Sequence, residues 1–183
     1  MNRIDTTILL MAAWLSIFAQ TYCNLPRIIL GGQIDLLPVL ALYGGLKRDL
    51  LSILLLVVVG GLSFDALSAN PLGVSILPLA AVGFLAHRYR DLIMREDLWV
   101  QVMLGFMACV LAPALTVLQL LSAGREPILG WQGLWTFAVL GLGGAVTAPL
   151  VFWLLDRLHR AFSYPVAPEA PFRADREIKR GRH

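Results

Sequence analysis

The chain has 183 residues, of which 58% are hydrophobic and 15% charged, with a formal net charge of +3 and a mean hydropathy of +0.73. Soluble domains are typically about 45–50% apolar and about 25% charged. The composition therefore argues against a soluble enzyme, a disordered chain and a disulfide scaffold, and predicts an all-α, polytopic integral membrane protein.

Six apolar segments follow one another and predict a bundle of six transmembrane helices. A spanning helix needs about 20 apolar residues. The predicted spans are 6–23, 34–46, 50–67, 71–86, 98–121 and 131–155. The second segment is shorter than the roughly 30 Å hydrocarbon core requires, so whether it crosses fully is left open. The first segment lacks an Ala-x-Ala cleavage site and is interpreted as a retained helix.

The positive charges predict the orientation of these spans and the domain organisation. With six spans, 13 of the 15 lysines and arginines fall on one side; Arg27 and Arg125 are the exceptions. An excess of positive charge marks the cytoplasmic side, so both termini are predicted to be cytoplasmic. Residues 1–160 form the predicted membrane bundle, and residues 161–183, rich in proline and charge, form a flexible basic cytoplasmic tail.

A search for catalytic and ligand-binding motifs is negative. The sequence has no His-Glu-x-x-His helix, no Gly-x-Ser-x-Gly elbow and no phosphate-binding glycine loop. Cys23 and Cys109 have no metal-site spacing, and Cys109 lies within an apolar run that predicts a buried thiol. We therefore expect neither enzymatic activity nor a cofactor or metal. The basic clusters between apolar runs are typical of topology signals rather than of nucleic-acid binding.

The connection between the third and fourth spans carries the most distinctive polar residues. It predicts a tight hairpin in which Asn70 caps the fourth helix and Pro71 takes its first position. Asp65 ends the third helix, where the helix dipole and the membrane both disfavour a carboxylate. Three hypotheses stay open: a structural lock that accepts the N–H groups of Leu72 and Gly73, a polar contact to a partner helix, and a proton or ion relay.

Two further features have a structural and a functional interpretation. Asp35 lies at the start of the second helix, where a role as N-cap explains a carboxylate. It is also predicted to lie toward the outer face of the membrane, as Asp65 is, which suggests a shared polar surface. In the sixth span, small residues recur at the spacing that allows close helix approach, either within the chain or to a partner. These residues are Gly141, Gly143, Gly144, Ala145 and Ala148.

Around the hairpin the sequence resembles the MreD family, the rod shape-determining membrane proteins of bacteria. That family carries Gly-Leu-x-x-Asp-x-Leu-Ser-x-x-Pro-Leu-Gly, followed by an apolar helix with Gly-aromatic-Leu. The matching residues are Gly61-Leu62, Asp65, Leu67-Ser68, Pro71-Leu72-Gly73 and Gly83-Phe84-Leu85. The family also starts its second helix with Pro-Asp-Leu. Asp35-Leu36 match this start, but Ile34 replaces the proline.

The resemblance implies a fold similar to the substrate-binding subunits of energy-coupling-factor vitamin transporters. It implies a non-enzymatic scaffold subunit of the cell-wall elongation complex in the bacterial inner membrane. Implied partners are a MreC-like single-span protein and membrane lipid, and indirectly MreB filaments, a RodA-type glycosyltransferase and a penicillin-binding transpeptidase. The motif residues implied to shape the hairpin or contact a partner are Asp35, Gly61, Asp65, Ser68, Asn70, Pro71 and Gly73.

The similarity of fold also supplies an alternative function, a substrate-binding membrane subunit of a vitamin-type transporter. Such a site needs several polar groups that converge on a cavity. A channel or proton-coupled carrier is the third hypothesis, and it is less favoured because few ionisable residues fall within the spans.

Overall fold

The computed structural model describes residues 3–22, 34–68, 71–93, 97–124 and 131–162. Every regular element in these ranges is an α-helix, and no strand occurs among them. The helices are α1 (Arg3–Tyr22), α2 (Leu37–Lys47), α3 (Leu50–Leu67), α4 (Ile76–Tyr89), α5 (Leu98–Ser122) and α6 (Trp131–Phe162). The predicted all-helical architecture is therefore confirmed.

Three of these helices have the length and apolar composition to cross a membrane. They comprise Leu50–Leu67, Leu98–Ser122 and the Gly133–Phe162 part of α6. The other three helices are apolar but shorter, at Thr6–Tyr22, Leu37–Lys47 and Ile76–Tyr89. These lengths are compatible with a helical membrane bundle, while the number of crossings stays a prediction.

The short helix α2 lies at the centre of the bundle. It contacts all five other helices, which surround it in the order α1, α3, α4, α5 and α6, with α6 returning to α1. All ten residues from Leu37 to Leu46 are buried. An apolar helix of this kind needs burial on every side. At 11 residues, α2 is about 16 Å long and spans only part of the ring that encloses it.

The observed helix ends correct two of the predicted spans. The fourth helix begins at Ile76 rather than at Pro71, because residues 72–75 form a turn and Gly73 has a φ of +92° that a helix does not allow. The sixth helix continues to Phe162, beyond the predicted end at 155. Most of the predicted tail, residues 163–183, lies outside the described residues.

Small residues bring α5 and α6 into close contact. A Cβ atom at Gly144 would lie 2.5 Å from both the Sγ atom of Cys109 and the carbonyl oxygen of Gly105. A Cβ atom at Gly105 would in turn overlap Ala148. At this contact the small residues of the sixth span therefore allow close packing within the chain, which was one of the two interpretations of their spacing. Cys109 is buried at this contact, which confirms that prediction.

Candidate functional site

The carboxylate of Asp65 is the most completely hydrogen-bonded polar group at its end of the bundle, here called the Asp65 end. Its Oδ2 atom accepts the backbone N–H groups of Gly73, at 2.8 Å, and of Ser75, at 3.1 Å. Its Oδ1 atom accepts the Ser75 hydroxyl at 2.5 Å. The side chain is only 1% exposed. A buried carboxylate is stable when hydrogen-bond donors replace its lost hydration, and this turn supplies three.

The backbone of the turn explains how these donors reach Asp65. Gly73 adopts its positive φ without a steric penalty, and the N–H groups on either side of Val74 then point back to the end of α3. The sequence analysis expected the donors to be Leu72 and Gly73. The prediction is correct for Gly73 and wrong for Leu72, because the second N–H donor is that of Ser75. Only the turn conformation brings Ser75 into reach.

The other motif residues support the same connection. Gly61 packs closely on the first residue of α4, since a Cβ atom there would lie 3.2 Å from Cγ1 of Ile76. The N–H of Ser68 closes α3 by donating to the carbonyl oxygen of Phe64 at 2.9 Å. Pro71 precedes the turn rather than starting the helix, and Ser75 holds the N-cap position. Asn70, the predicted cap, lies outside the described residues. The geometry favours the structural-lock hypothesis for Asp65.

Asp35 lies one position before the place predicted for it. The N-cap residue of α2 is Leu36, and Asp35 Oδ1 accepts the N–H of Leu37 at 3.1 Å. The same oxygen accepts Nε2 of Gln20 at 3.4 Å, and the Asp35 carbonyl oxygen accepts the Cys109 thiol at 3.5 Å. Asp35 thus satisfies a helix-terminal N–H group, as an N-cap does, and also connects α2 to α1 and α5.

A cavity of about 210 Å³ brings the surroundings of the two aspartates together. Asp35 lines one part of it, and Ser75, the partner of Asp65, lines another. Five of the six helices or the turns before them contribute to its wall, and Thr116 of α5 adds a third polar side chain. The cavity therefore lies between Asp35 and Ser75, the hydrogen-bond partner of Asp65.

A second polar cluster lies at the opposite end of the bundle, here called the Lys47 end. The Lys47 Nζ and the Asp156 Oδ2 atoms form an ion pair at 2.5 Å, and the Tyr43 hydroxyl donates to Asp156 Oδ1 at 3.0 Å. The rings of Tyr43 and Phe152 pack edge to face, with centroids 5.1 Å apart. The cluster joins α2 to α6. The sequence analysis missed it, because its members lie 109 and 113 positions apart.

We expect the Lys47–Asp156 pair to contribute measurably to stability. The two side chains are 24% and 32% exposed, so water screens them less than a surface pair. A double-mutant cycle with Lys47→Met and Asp156→Asn should give a coupling of about 1 kcal/mol in reversible unfolding. The Arg90–Asp91 pair, at 40% and 82% exposure, serves as the control. A coupling no larger than that of this control would contradict the prediction.

An apolar groove of about 720 Å³ separates α1 from α6. It extends from Thr7 and Phe162 near the Lys47 end to Phe18 and Leu36 nearer the Asp65 end. No charged residue lines it among the described residues. Its surface is therefore suited to contact with lipid chains or with another apolar helix.

The described part of the chain contains no group of three or more His, Cys, Asp or Glu side chains arranged to hold a metal ion. The Asp65 turn and the Lys47–Asp156 pair both connect helices. A scan against models of known protein families, a comparison with curated protein sequences and a comparison with solved structures each returned no match.

Proposed function

We propose that this chain is a non-enzymatic membrane scaffold of the bacterial cell-wall elongation complex, similar to MreD proteins. The observation that carries the proposal is the Asp65 turn. Three residues of the family-like motif meet there: the buried Asp65 carboxylate accepts the N–H of Gly73, and Gly61 packs against Ile76. A scaffold needs helices held in fixed relative positions, and such a turn holds α3 against α4.

The proposed partner is a MreC-like single-span protein of the inner membrane. Large side chains project from the outer faces of the helices, among them Leu15 and Met103 at 72% and 65% exposure. In a membrane, contacts over such surfaces come from close packing and a few polar groups, about 1–2 kcal/mol each at best. We therefore expect single substitutions in the interface to weaken the complex without abolishing it.

Depletion in a rod-shaped bacterial host tests this function. Loss of the chain should give round cells with intact membrane energisation, and affinity purification in mild detergent should recover elongation-complex proteins. Asp65→Asn should restore rod shape, because its amide preserves the turn. Normal cell shape together with a vitamin requirement, or co-purification of an ATPase module, would contradict the proposal.

The transporter-subunit alternative predicts a cavity for a vitamin-sized solute. Sites for ligands of drug-like size measure about 300–1,000 Å³. The cavity between Asp35 and Ser75 measures about 210 Å³, below that range. The groove between α1 and α6 is large enough, at about 720 Å³, but its described lining residues are apolar except for Thr7 and Ser16. A solute site needs several convergent polar groups, so these two spaces support the scaffold over the transporter subunit.

The scaffold proposal includes six crossings with both termini in the cytoplasm. It places the Lys47 end inside the cell and the loop after α5 outside. In a variant without the native cysteines, Ala123→Cys should react with an impermeant thiol reagent added to intact cells, while Leu92→Cys should not. Both positions are exposed, so burial does not account for the difference. Labelling of Leu92→Cys from outside would overturn the orientation.

A further inference from the structure

The central helix is too short to fill the ring around it, and this leaves a cavity at the Asp65 end. α2 starts at Leu37 and is about 16 Å long, whereas α5, with 25 residues, is about 37 Å long. Beyond the start of α2, the wall of the cavity is formed by Phe64 of α3, the Ser75 region before α4, Thr116 of α5 and Leu140 of α6. The cavity is therefore bounded by the start of α2 and by four of the helices that surround it.

Three polar residues line this cavity among the residues that the structure describes, and each has a hydrogen-bond acceptor in its side chain: Asp35, Ser75 and Thr116. Asp35 Oδ1 is used by Leu37 and Gln20, and no described donor bonds Oδ2. The Ser75 hydroxyl donates its proton to Asp65, and the Thr116 hydroxyl donates its proton to the carbonyl oxygen of Ala112 at 3.0 Å. Both hydroxyl oxygens keep lone pairs but have no proton left to offer.

The remaining described lining residues add neither a side-chain donor nor a positive charge. Its other side chains are apolar, and three of them belong to prolines, which also lack a backbone N–H: Pro38, Pro78 and Pro113. None of the described lysines or arginines forms an ion pair with Asp35. A carboxylate in such surroundings is costly unless a cation or several donors compensate it.

We propose that this cavity is a binding site for a small organic ammonium ion. A primary ammonium group carries one positive charge and three N–H donors and has no acceptor, which is the chemistry complementary to a carboxylate and two hydroxyl oxygens. The apolar wall would take a short alkyl chain. The volume equals that of about seven water molecules in the liquid, so the ligand has roughly five to eight non-hydrogen atoms.

The test measures thermal unfolding of the purified chain in detergent by tryptophan fluorescence, with n-butylammonium chloride as the probe and constant pH and ionic strength. We expect a saturable rise in the unfolding midpoint with n-butylammonium and none with 1-butanol, a neutral molecule of the same size. Asp35→Asn should weaken the apparent affinity by about tenfold or more, since it removes the charge but keeps an acceptor for Leu37.

Two further variants keep the outcome unambiguous. Asp49→Asn, on an exposed residue at the Lys47 end, should respond as the parent chain does. Thr116→Val should weaken the response while keeping the shape of the side chain, and it decides the question if Asp35→Asn does not fold. An equal response to 1-butanol, or no saturable response to the amine, would overturn the proposal. So would an unchanged affinity in Asp35→Asn. If Asp35→Asn does not fold, an unchanged affinity in Thr116→Val would overturn it instead. The purified chain needs no partner for this test, so the result is independent of the scaffold function.

Discussion

Replacing Asp65 by leucine is expected to lower the free energy of unfolding by about 2–4 kcal/mol. The substitution leaves the buried N–H groups of Gly73 and Ser75 without their acceptor, and it also removes the partner of the Ser75 hydroxyl. Asp65→Asn should cost much less. Its carbonyl oxygen takes the two N–H groups, while its NH₂ group faces the Ser75 hydroxyl, which rotates to accept. Reversible unfolding in mixed micelles measures both changes.

The matched controls are Asp49→Leu and Asp49→Asn at the other end of the same helix. Asp49 is exposed and its side chain makes no capping hydrogen bond, so both substitutions should have small effects. The lock hypothesis for Asp65 is wrong if Asp65→Leu unfolds like the parent chain while both Asp65 variants lose function equally. A contact with a partner or a relay would then explain that residue.

A methyl group added at Gly45 is expected to destabilise the bundle by about 1–3 kcal/mol. The new Cβ atom would lie 2.5 Å from the carbonyl oxygen of Gly83 and 2.6 Å from Cβ of Ala86. The first is a backbone atom and the second is attached directly to the backbone, so relief requires α2 and α4 to move apart. The contact with α4 is the most extensive that the central helix α2 makes.

Gly44→Ala provides the control at the adjacent position. There the added Cβ atom would meet only side-chain atoms, the nearest being Cδ2 of Leu9 at 3.5 Å, which is an ordinary contact distance. We therefore expect Gly44→Ala to be neutral or slightly stabilising, because alanine also favours the helix. Equal effects of Gly44→Ala and Gly45→Ala on thermal unfolding would contradict the described packing of α2 on α4.

Several features of this protein follow from the sequence because their causes are local. Apolar runs predict where helices lie, and the helices from Leu50 to Leu67 and from Leu98 to Ser122 agree with the predicted spans to within one residue. The second segment was predicted to be shorter than a full crossing, as the 11 residues of α2 are. The acceptance of nearby N–H groups by Asp65 was also predictable, since a carboxylate at a buried helix end needs donors from the chain that follows it.

Other features depend on which helices contact one another, and these contacts cannot be predicted from local patterns in a single sequence. α4 starts at Ile76 and not at the predicted Pro71, because the Asp65 carboxylate stabilises the intervening turn by accepting two of its N–H groups. Lys47 and Asp156 each have an ordinary local interpretation, as residues at the ends of apolar segments, and become a pair only when α2 lies beside α6.

The central position of α2 is the clearest result of tertiary structure. The order of residues alone determined an apolar, helical chain with its charges in short clusters, because transfer of side chains from water depends on residue type and not on partners. Packing decided that the shortest apolar helix is surrounded by the other five, that Asp35 and Ser75 line one cavity, and that Gly105 meets Gly144. These contacts arise from the shape complementarity of whole helices, to which residues distant in the chain contribute together.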